Sequence, residues 1–313
     1  MDTPLARDWP VLEYGQWRDT ALTLKLWTQI VGKIRLSRTP WVNHGWQVPL
    51  YVNARGLGTS PIPIGRSILE IDFDFLSQQL ICRTSEGGVG AFALEPQSVS
   101  AFYARVVKIL GAFDIEVAIN LNPNEVDGAI PFPEDLVHET YDPDAAHRFW
   151  RVLVQADRLL KKFRTSFVGK VSPVHFFWGS CDLAVTRFSG KAAPPHPGSP
   201  GLPKEVVRDA YSHEVSSAGF WPGNDMFPHA AFYSYAYPVP AGFGDAVVPD
   251  GARFEPALGE YILPYESVRT ASDPDALVGE FLQATYVAAA SCGDWDRNAL
   301  DCSIGEPGVP KGR

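Results

Sequence analysis

The sequence predicts an α+β fold made of two similar halves, each with a helix, about four mainly antiparallel strands and a second helix. Two observations predict this class. Stretches with helical periodicity and stretches with strand-like alternation follow one another in the same order twice along the chain. The tripeptide VGK also ends the first predicted helix of each half, at Lys33 and at Lys170.

Residue matches between the halves indicate an internal duplication. A pseudo-twofold axis could relate the two halves. Trp46 matches Trp178, and an arginine lies nine residues after each tryptophan, at Arg55 and Arg187. We therefore expect the two tryptophans, and the two arginines, to occupy matching positions. The pattern leaves open whether the two sheets fuse or only pack together.

In the first half, an amphipathic stretch predicts a helix over residues 16–33, and alternation of apolar and polar residues predicts strands. The clearest alternation is SILEIDFDF, residues 67–75, in which Ile71, Phe73 and Phe75 share one face. The other elements predicted here are strands at 44–56, QLICRT, GAFALE and 115–120, and a helix at 96–113.

The second half begins with a capped helix, because Asp142 is a suitable N-cap and Pro143 suits the first helical position. The last predicted helix opens with the same Asp-Pro-Asp-Ala sequence. Strands are predicted at PVHFFWGSCDLAVTRFSG, YSHEVSSAGFW, AAFYSYAYPV and GEYILPY. We expect halves at residues 1–125 and 126–292, followed by a loose tail at 293–313.

Composition excludes two classes of partner. A net charge of −9 is unfavourable for binding nucleic acid or an anionic membrane surface, since both attract basic proteins. No run approaches the roughly 18 apolar residues of a membrane span, and the N-terminus lacks the apolar core of a signal peptide. The four cysteines lack CxxC spacing, which favours reduced thiols and a cytoplasmic location. A small-molecule partner fits these features, and the oligomeric state stays open.

Several long motifs carry a resemblance to a known family. They are LWTQIVGKIRL, PLYVNARGL, IDFDF, RFWRVLVQADR, SPVHFFWGSCDLAVTRFSG and RDAYSHEVSSAGFWPG. With these motifs the chain resembles an uncharacterised bacterial family, the domain of unknown function 5996, over nearly its whole length. The resemblance implies no established activity, so any function has to be argued from the residues.

The candidate catalytic residues are His175, His213 and Glu214. His213 lies beside Glu214, and imidazole and carboxylate groups suit acid–base chemistry. Neighbours on a strand point to opposite faces, so these two side chains diverge unless a bulge intervenes. We therefore expect Glu214 to share a cavity with His175 of an adjacent strand. The alternative is a half-buried strand whose polar residues are structural.

Arg187 lies among apolar residues of a predicted strand, where an unpaired guanidinium is costly to bury. We expect Glu214 to be its partner, and by the same reasoning we expect Arg55 to pair with Glu70 or Asp72. These are either structural ion pairs or, in the functional interpretation, arginines that bind an anionic substrate.

Three further residues are candidates for binding a substrate. Asp182 and Trp178 are predicted to share one face of the strand that follows His175. Tyr235 belongs to an alternating row of tyrosines in FYSYAYPV. Such a row either packs against the core or forms the wall of a pocket for a planar ligand.

The sequence does not determine a cofactor. It contains no P-loop, and its GLG lacks the spacing of a dinucleotide-binding loop. No local histidine spacing is typical of a metal site, so a divalent metal would require His175, His213 and Glu214 to converge in the folded protein.

Two classes of function therefore stay open, with a third beside them. The first is an enzyme that acts on a small anionic metabolite by His/Glu acid–base chemistry, with arginine holding the anion. The second is a non-catalytic ligand-binding or interaction protein with structural Arg–Glu pairs. The third is a metal-dependent hydrolase.

Overall fold

The structure, a computed structural model, describes residues 8–310. This part of the chain contains seven α-helices and two six-stranded sheets, which confirms the predicted α+β class. The helices are α1 (Tyr14–Arg38), α2 (Val99–Gly111), α3 (Pro143–Arg164), α4 (Lys204–Ala210), α5 (Tyr265–Arg269), α6 (Pro274–Cys292) and α7 (Arg297–Leu300).

The first sheet has the strand order β1-β2-β4-β5-β6, with β3 also paired to β4. Its strands are β1 (Tyr51–Val52), β2 (Gly56–Gly58), β3 (Ile62–Ile64), β4 (Ser67–Asp74), β5 (Gln79–Thr84) and β6 (Val89–Ala93). All of its strand pairs are antiparallel, as predicted.

The second sheet has the order β11-β12-β10-β9-β8-β7 and is likewise antiparallel throughout. Its strands are β7 (His175–Phe177), β8 (Asp182–Ala192), β9 (His213–Trp221), β10 (Ala231–Tyr237), β11 (Arg253–Glu255) and β12 (Glu260–Pro264). A bulge in β8 after Phe188 shifts its register against β9.

The two sheets meet edge to edge. Leu50, just before β1, and Phe176 of β7 exchange two backbone hydrogen bonds, with N···O distances of 2.9 and 2.8 Å. From this junction outward, the first sheet runs β1-β2-β4-β5-β6 and the second runs β7-β8-β9-β10-β12. The two-sheet layout is consistent with a duplication.

The residue-level matching predicted for the two halves is wrong. Arg55 lies in the turn before β2, whereas Arg187 lies in the middle of β8. Trp46 precedes β1, whereas Trp178 follows β7. In a chain with nine tryptophans, the same tryptophan–arginine spacing easily occurs twice by chance. The shared spacing therefore did not indicate structurally equivalent positions in the two halves.

The predicted helices and the best alternating strand are confirmed. Asp142 caps α3 by accepting hydrogen bonds from two backbone N–H groups, and Asp273 caps α6 in the same way with one. Most of the SILEIDFDF segment forms β4, in which Leu69, Ile71 and Phe73 are buried. In these segments the local pattern agrees with the tertiary environment.

Two other predictions differ from the structure. Of the strand predicted at 44–56, only β1 and Gly56 at the start of β2 are in strands. His44 and Gly45 have φ angles of 64° and 68°, which do not suit a strand. Residues 115–120 form no strand. Within the range predicted as a tail, residues 297–300 form α7 and Asp301 pairs with Phe167 in an isolated bridge, while the tail itself stays a prediction.

Buried apolar residues of both halves form one hydrophobic cluster. Trp27 of α1 stacks on Phe102 of α2, with ring centroids 4.7 Å apart. Phe149 of α3 contacts both Trp17 of α1 and Phe176 of β7, at centroid distances of 4.9 and 6.4 Å. Helices α1 and α3 thus pack together under the sheet junction, while the boundaries assigned to the two halves stay a prediction. None of the helices in the described residues is long and apolar enough to cross a membrane.

Candidate functional site

The turn between β7 and β8 decides which residues face the same side of the second sheet. The sequence predicts one long strand here, but the chain reverses at residues 178–181, where Cys181 has a φ of 64°. In the resulting hairpin His175 pairs with Ala184, and His175 and Asp182 share one face. Arg187 points to the opposite face, which is the reverse of the predicted arrangement.

The face that carries His175 and Asp182 lines a cavity of about 870 Å³. Ser217 of β9, Tyr235 of β10 and Glu260 of β12 line it from successive strands of the same sheet. The opposite wall comes from α1, the segment 118–125 and α4. A cavity of this size matches those that hold small organic ligands.

Trp178 forms part of the cavity wall where the first helix passes the hairpin. Its indole N–H donates a hydrogen bond of 3.0 Å to the carbonyl of Val48. The ring also lies directly against Gly32 of the first VGK motif, where a Cβ atom would come within 2.2 Å of Nε1. A glycine at position 32 therefore allows the Trp178 ring to pack directly against the helix.

Asp182 is buried at the cavity wall and accepts hydrogen bonds on both carboxylate oxygens. Ser180 donates to one oxygen and Tyr233 donates to the other. The Tyr233 hydroxyl reaches Asp182 by passing over Gly219 of β9, where a Cβ atom would lie 2.6 Å from the hydroxyl oxygen. Burial raises the pKa of Asp182, and the two hydroxyl donors oppose that shift.

A second set of hydroxyl groups continues from this carboxylate along the sheet. The rings of Tyr233 and Tyr235 are stacked, with centroids 6.1 Å apart. The hydroxyl of Tyr235 is hydrogen-bonded to that of Tyr211 at 2.8 Å. Ser217 and Thr186 share a hydrogen bond of 2.9 Å on the adjacent strands. The tyrosine row predicted in β10 thus lies along the cavity.

Two further carboxyl groups face the cavity, and the sequence analysis missed both. Burial and the nearby charge of Asp182 raise the pKa of Glu260 to about 7. Burial also raises the pKa of Glu125, with Asp182 adding to the shift. Glu125 follows an irregular segment and Glu260 begins an edge-proximal strand, so no local motif marks either residue.

His175 is 1% exposed, and its Nδ1 has no hydrogen-bond partner. Burial, with a contribution from Arg164, lowers its pKa to about 3, so the imidazole is neutral at physiological pH. Its ring packs edge-on against Phe177 at 4.6 Å. His175 can therefore accept or donate a hydrogen bond in the cavity, but it is a poor proton acceptor near neutral pH.

The only lysine that lines the cavity within residues 8–310 is Lys33, the last residue of the first VGK. Its ammonium group donates a hydrogen bond of 2.6 Å to the carbonyl of Asn122, and burial lowers its pKa to about 8. Lys25 lies nearby and donates to the backbone carbonyl of Glu125 at 3.0 Å. Both amines are thus directed at backbone oxygens.

Arg187 does not pair with Glu214, contrary to the prediction. It is fully buried, donates hydrogen bonds to the carbonyl of Phe163 and to Ser166, and lies 3.5 Å from the ring centroid of Phe163 and 4.2 Å from that of Tyr286. Ring faces and a carbonyl thus replace the expected carboxylate. Its position on the core side of β8 keeps it away from the cavity.

Arg55 pairs with Asp74 rather than with Glu70 or Asp72. The Nε–Oδ2 distance is 2.5 Å, and Asp72 instead pairs with Arg83 at 2.8 Å. These contacts belong to the first sheet and do not line the cavity.

His213 and Glu214 diverge, as strand geometry predicts, because both belong to β9 and the extra residues of the register shift lie in β8. Nδ1 of His213 is 3.1 Å from the hydroxyl of Ser212, and one carboxylate oxygen of Glu214 has no hydrogen-bond partner. Neither residue lines the cavity, so the expectation that Glu214 shares one with His175 is wrong. Among residues 8–310, no three histidine, cysteine or acidic side chains are placed to hold a metal ion.

The comparison with known proteins gives one match. The model of a family of unknown function, DUF5996, matches residues 9–302, a range that includes every cavity residue described above. No curated protein and no solved structure matches the chain. The match covers nearly all of the chain and agrees with the motifs found in the sequence. The chain therefore belongs to the family of unknown function DUF5996.

Proposed function

We propose that this protein binds a small organic molecule in the cavity of the second sheet. The observation that carries the proposal is a cavity of about 870 Å³ whose walls combine aromatic rings with buried carboxyl and hydroxyl groups. Ligand sites of proteins typically have this composition, with apolar walls and a few converging polar groups.

The chemistry of the walls indicates what the molecule should look like. Tryptophan and tyrosine rings, including Trp46, Trp178, Tyr233 and Tyr235, offer flat apolar surfaces for a ring or hydrocarbon body. The anionic substrate expected from the sequence is not supported, because Arg187 lies on the other face of β8 and Lys33 donates to a carbonyl.

A second candidate is an enzyme that uses acid–base chemistry in the same cavity. Its support is Glu260, whose raised pKa of about 7 lies near the pH at which a general acid or base works best. In this candidate Glu260 takes the role that the sequence analysis assigned to Glu214.

The proposal can be tested at the rim of the cavity. Val239 lines the rim and is 56% exposed, so a Val239→Trp variant should fold normally and obstruct entry. Val247 is 92% exposed and does not line the cavity, which makes Val247→Trp the matched control. The wild type and both variants are screened by thermal shift against a set of small organic compounds.

We expect some compounds to raise the Tm of the wild type and of Val247→Trp but to act more weakly on Val239→Trp. A ligand at 100 times its Kd stabilises the folded state by about 2.7 kcal/mol, which such a screen detects readily. Mass spectrometry of the same mixtures detects conversion, which would support the enzyme candidate. If no compound raises the Tm, or if all three proteins respond alike, the cavity is not the binding site.

A further inference from the structure

We propose that the molecule bound in this cavity is uncharged, elongated and mostly hydrocarbon, as a long-chain alcohol is. This inference rests on the proposed function and adds the chemical class of the ligand. It is carried by the length of the cavity, by the hydrogen bonds that its polar side chains already make within the protein, and by the apolar residues at its rim.

The cavity is long in the direction that crosses the strands. Its lining comes from five strands that are neighbours in the second sheet, in the order β12-β10-β9-β8-β7. Glu260 lies at one end of this row and His175 at the other. Adjacent strands are about 4.8 Å apart, so four spacings give a length of roughly 19 Å. A cavity of about 870 Å³ with this length suits an extended molecule better than a single compact ring.

Polar side chains that β8, β9 and β10 direct at the cavity are hydrogen-bonded to one another. Hydroxyl groups donate to both carboxylate oxygens of Asp182. The hydroxyl of Thr186 is bonded to that of Ser217 at 2.9 Å, and the hydroxyl of Tyr235 to that of Tyr211 at 2.8 Å. A polar ligand group would have to compete with these bonds, and exchanging one hydrogen bond for another gains little.

Other polar groups that line the cavity donate to the backbone. The hydroxyl of Tyr237 donates to the carbonyl of Pro194 at 3.0 Å, and the ammonium group of Lys33 donates to that of Asn122 at 2.6 Å. These groups leave the faces of aromatic rings and the apolar side chains as the surface that meets a ligand. Such a surface binds a molecule through the apolar area that is removed from water.

The charged side chains around the cavity favour neither sign of ligand charge. The carboxyl groups of Asp182, Glu125 and Glu260 line it and repel an anion. A positive charge is already present beside them, because the ammonium group of Lys25 lies 3.0 Å from the backbone carbonyl of Glu125. Burial raises the pKa of both Glu125 and Asp182, and the charge of Lys25 opposes the shift in each. Since a charged group is costly to bury without a partner, an uncharged molecule fits this environment.

The rim of the cavity is a separate observation that points to a hydrocarbon ligand. Large apolar side chains are exposed there, namely those of Leu36, Trp41, Val239 and Leu258. Exposed apolar groups gathered in one place often mark a ligand-binding groove. The wall opposite the sheet continues this apolar surface with Leu202 and Val206. A chain that leaves water at the rim therefore stays in contact with apolar surface along its length.

The first test varies the length of a neutral chain. Butanol, hexanol and octanol, each with a terminal hydroxyl group, are titrated by calorimetry into the wild type, Val239→Trp and Val247→Trp. We expect the Kd of the wild type to fall about fourfold for each added CH₂ group, as burial of a methylene predicts. The heat-capacity change of binding should be negative, because apolar surface leaves water. Val247→Trp should match the wild type, whereas Val239→Trp should bind octanol about tenfold more weakly.

The second test keeps the eight-carbon chain and adds a polar group at its far end. Octanol is compared with octanediol, octanediamine and octanedioate, each of which carries a polar group at both ends. When one end lies at the rim, the other end of an extended chain lies inside the cavity and loses its water. We expect octanediol to bind about tenfold more weakly than octanol, and the two charged compounds to bind more weakly still.

A third measurement separates the ring of Tyr235 from its hydroxyl group. Tyr235→Phe retains the apolar ring and removes the hydroxyl, so its Kd for octanol should stay within about twofold of the wild-type value. The Tm of each unliganded variant shows that it is folded.

Other results overturn the inference. If octanediamine or octanedioate binds as tightly as octanol, the ligand carries a charge. If the Kd does not depend on chain length, or if Tyr235→Phe loses its affinity for octanol, polar contacts rather than hydrocarbon area determine binding. The proposed function survives each of these results when Val239→Trp still weakens binding relative to Val247→Trp. If no compound of these series or of the thermal-shift screen binds in the cavity, the inference and the proposed function fail together.

Discussion

Asp182 and Glu260 line the same cavity, but their carboxyl groups have different hydrogen-bonding surroundings. Asp182 receives two hydroxyl donors, from Ser180 and Tyr233, which support its charge. Glu260 receives none among the described residues, and burial next to Asp182 raises its pKa to about 7. Asp182 thus accepts hydrogen bonds from two fixed donors, whereas Glu260 changes its charge near physiological pH.

This difference predicts a pH dependence of stability that belongs to Glu260. The pKa of a glutamate is about 4.5 when unperturbed and about 7 in the folded protein, so folding favours the protonated form. The contribution of Glu260 to stability is therefore fully present below pH 4.5 and is lost as the pH rises to about 7. Above that range the loss is complete.

We expect the free energy of unfolding of the wild type to fall, relative to that of Glu260→Gln, between pH 4.5 and pH 7. Urea denaturation of both proteins across this range measures the difference. Glu86→Gln, at an exposed residue between β5 and β6, is the control for the same change in charge. A flat difference for Glu260→Gln would show that the folded protein does not perturb this carboxyl group.

Arg187 shows at the same scale that a buried charge does not need a carboxylate partner. Its guanidinium lies over the rings of Phe163 and Tyr286 and donates to a carbonyl and a hydroxyl. Burial lowers its pKa to about 10, which still leaves it charged. Its role is to fill the core beneath the second sheet rather than to bind a ligand.

At the scale of the element, β9 contains a position that only glycine can occupy without rearrangement. A Cβ atom on Gly219 would lie 2.1 Å from the carbonyl oxygen of Leu183 and 2.6 Å from the hydroxyl oxygen of Tyr233. The first contact would be with the backbone of β8, and the second with the hydroxyl group that donates a hydrogen bond to Asp182. Either both strands or the tyrosine would have to move to make room. The lack of a side chain at Gly219 therefore lets Tyr233 of β10 reach Asp182 of β8 across β9.

We expect Gly219→Ala to lower the free energy of unfolding by about 1–3 kcal/mol, the usual cost of overpacking, and to weaken any ligand binding in the cavity. Gly279→Ala is the control, because Gly279 is exposed in α6 and has open space around it. That substitution should stabilise the protein by up to about 1 kcal/mol. Urea denaturation measures both changes, and equal effects of the two substitutions would contradict the packing argument.

At the scale of the whole molecule, the two sheets share an edge and a core. The Leu50–Phe176 hydrogen bonds join them, and α1 and α3 pack together through Trp17 and Phe149. Buried residues from both halves belong to one cluster. Neither half can therefore open without exposing apolar surface of the other.

We accordingly expect a single cooperative unfolding transition. Hydrogen exchange at increasing urea, followed by mass spectrometry, can monitor peptides from α1 and α6 separately. Both should lose protection at the same urea concentration. Loss of protection in one half at a clearly lower concentration would show that the halves are independent domains.

Local patterns in the sequence determined the helices and the best strand. Asp142 and Asp273 cap their helices because a carboxylate next to exposed N–H groups acts within a few residues. The alternation in β4 was readable because one face of that strand is buried along its whole length. The α+β class and the family motifs were accessible for the same reason, since they depend on contiguous residues.

The candidate site was only partly accessible in this way. His175, Asp182, Trp178 and Tyr235 were found from their residue types and do line the cavity, whereas His213, Glu214, Arg187 and Arg55 do not. The main error came from the reversal at residues 178–181, which Gly179 and Ser180 could have signalled. Since side chains alternate along a strand, one missed turn exchanged the faces of every residue after it.

The sequence by itself determined the class of fold, the capped helices and the family of this protein, because each depends on patterns among neighbouring residues. Only the tertiary structure decided that Glu125 and Glu260 line the same cavity as Asp182, that Leu50 joins Phe176, and that rings rather than a carboxylate surround Arg187. These contacts connect residues far apart in the chain. They depend on turn geometry and strand register, and no pattern of contiguous residues encodes which distant side chain will lie opposite.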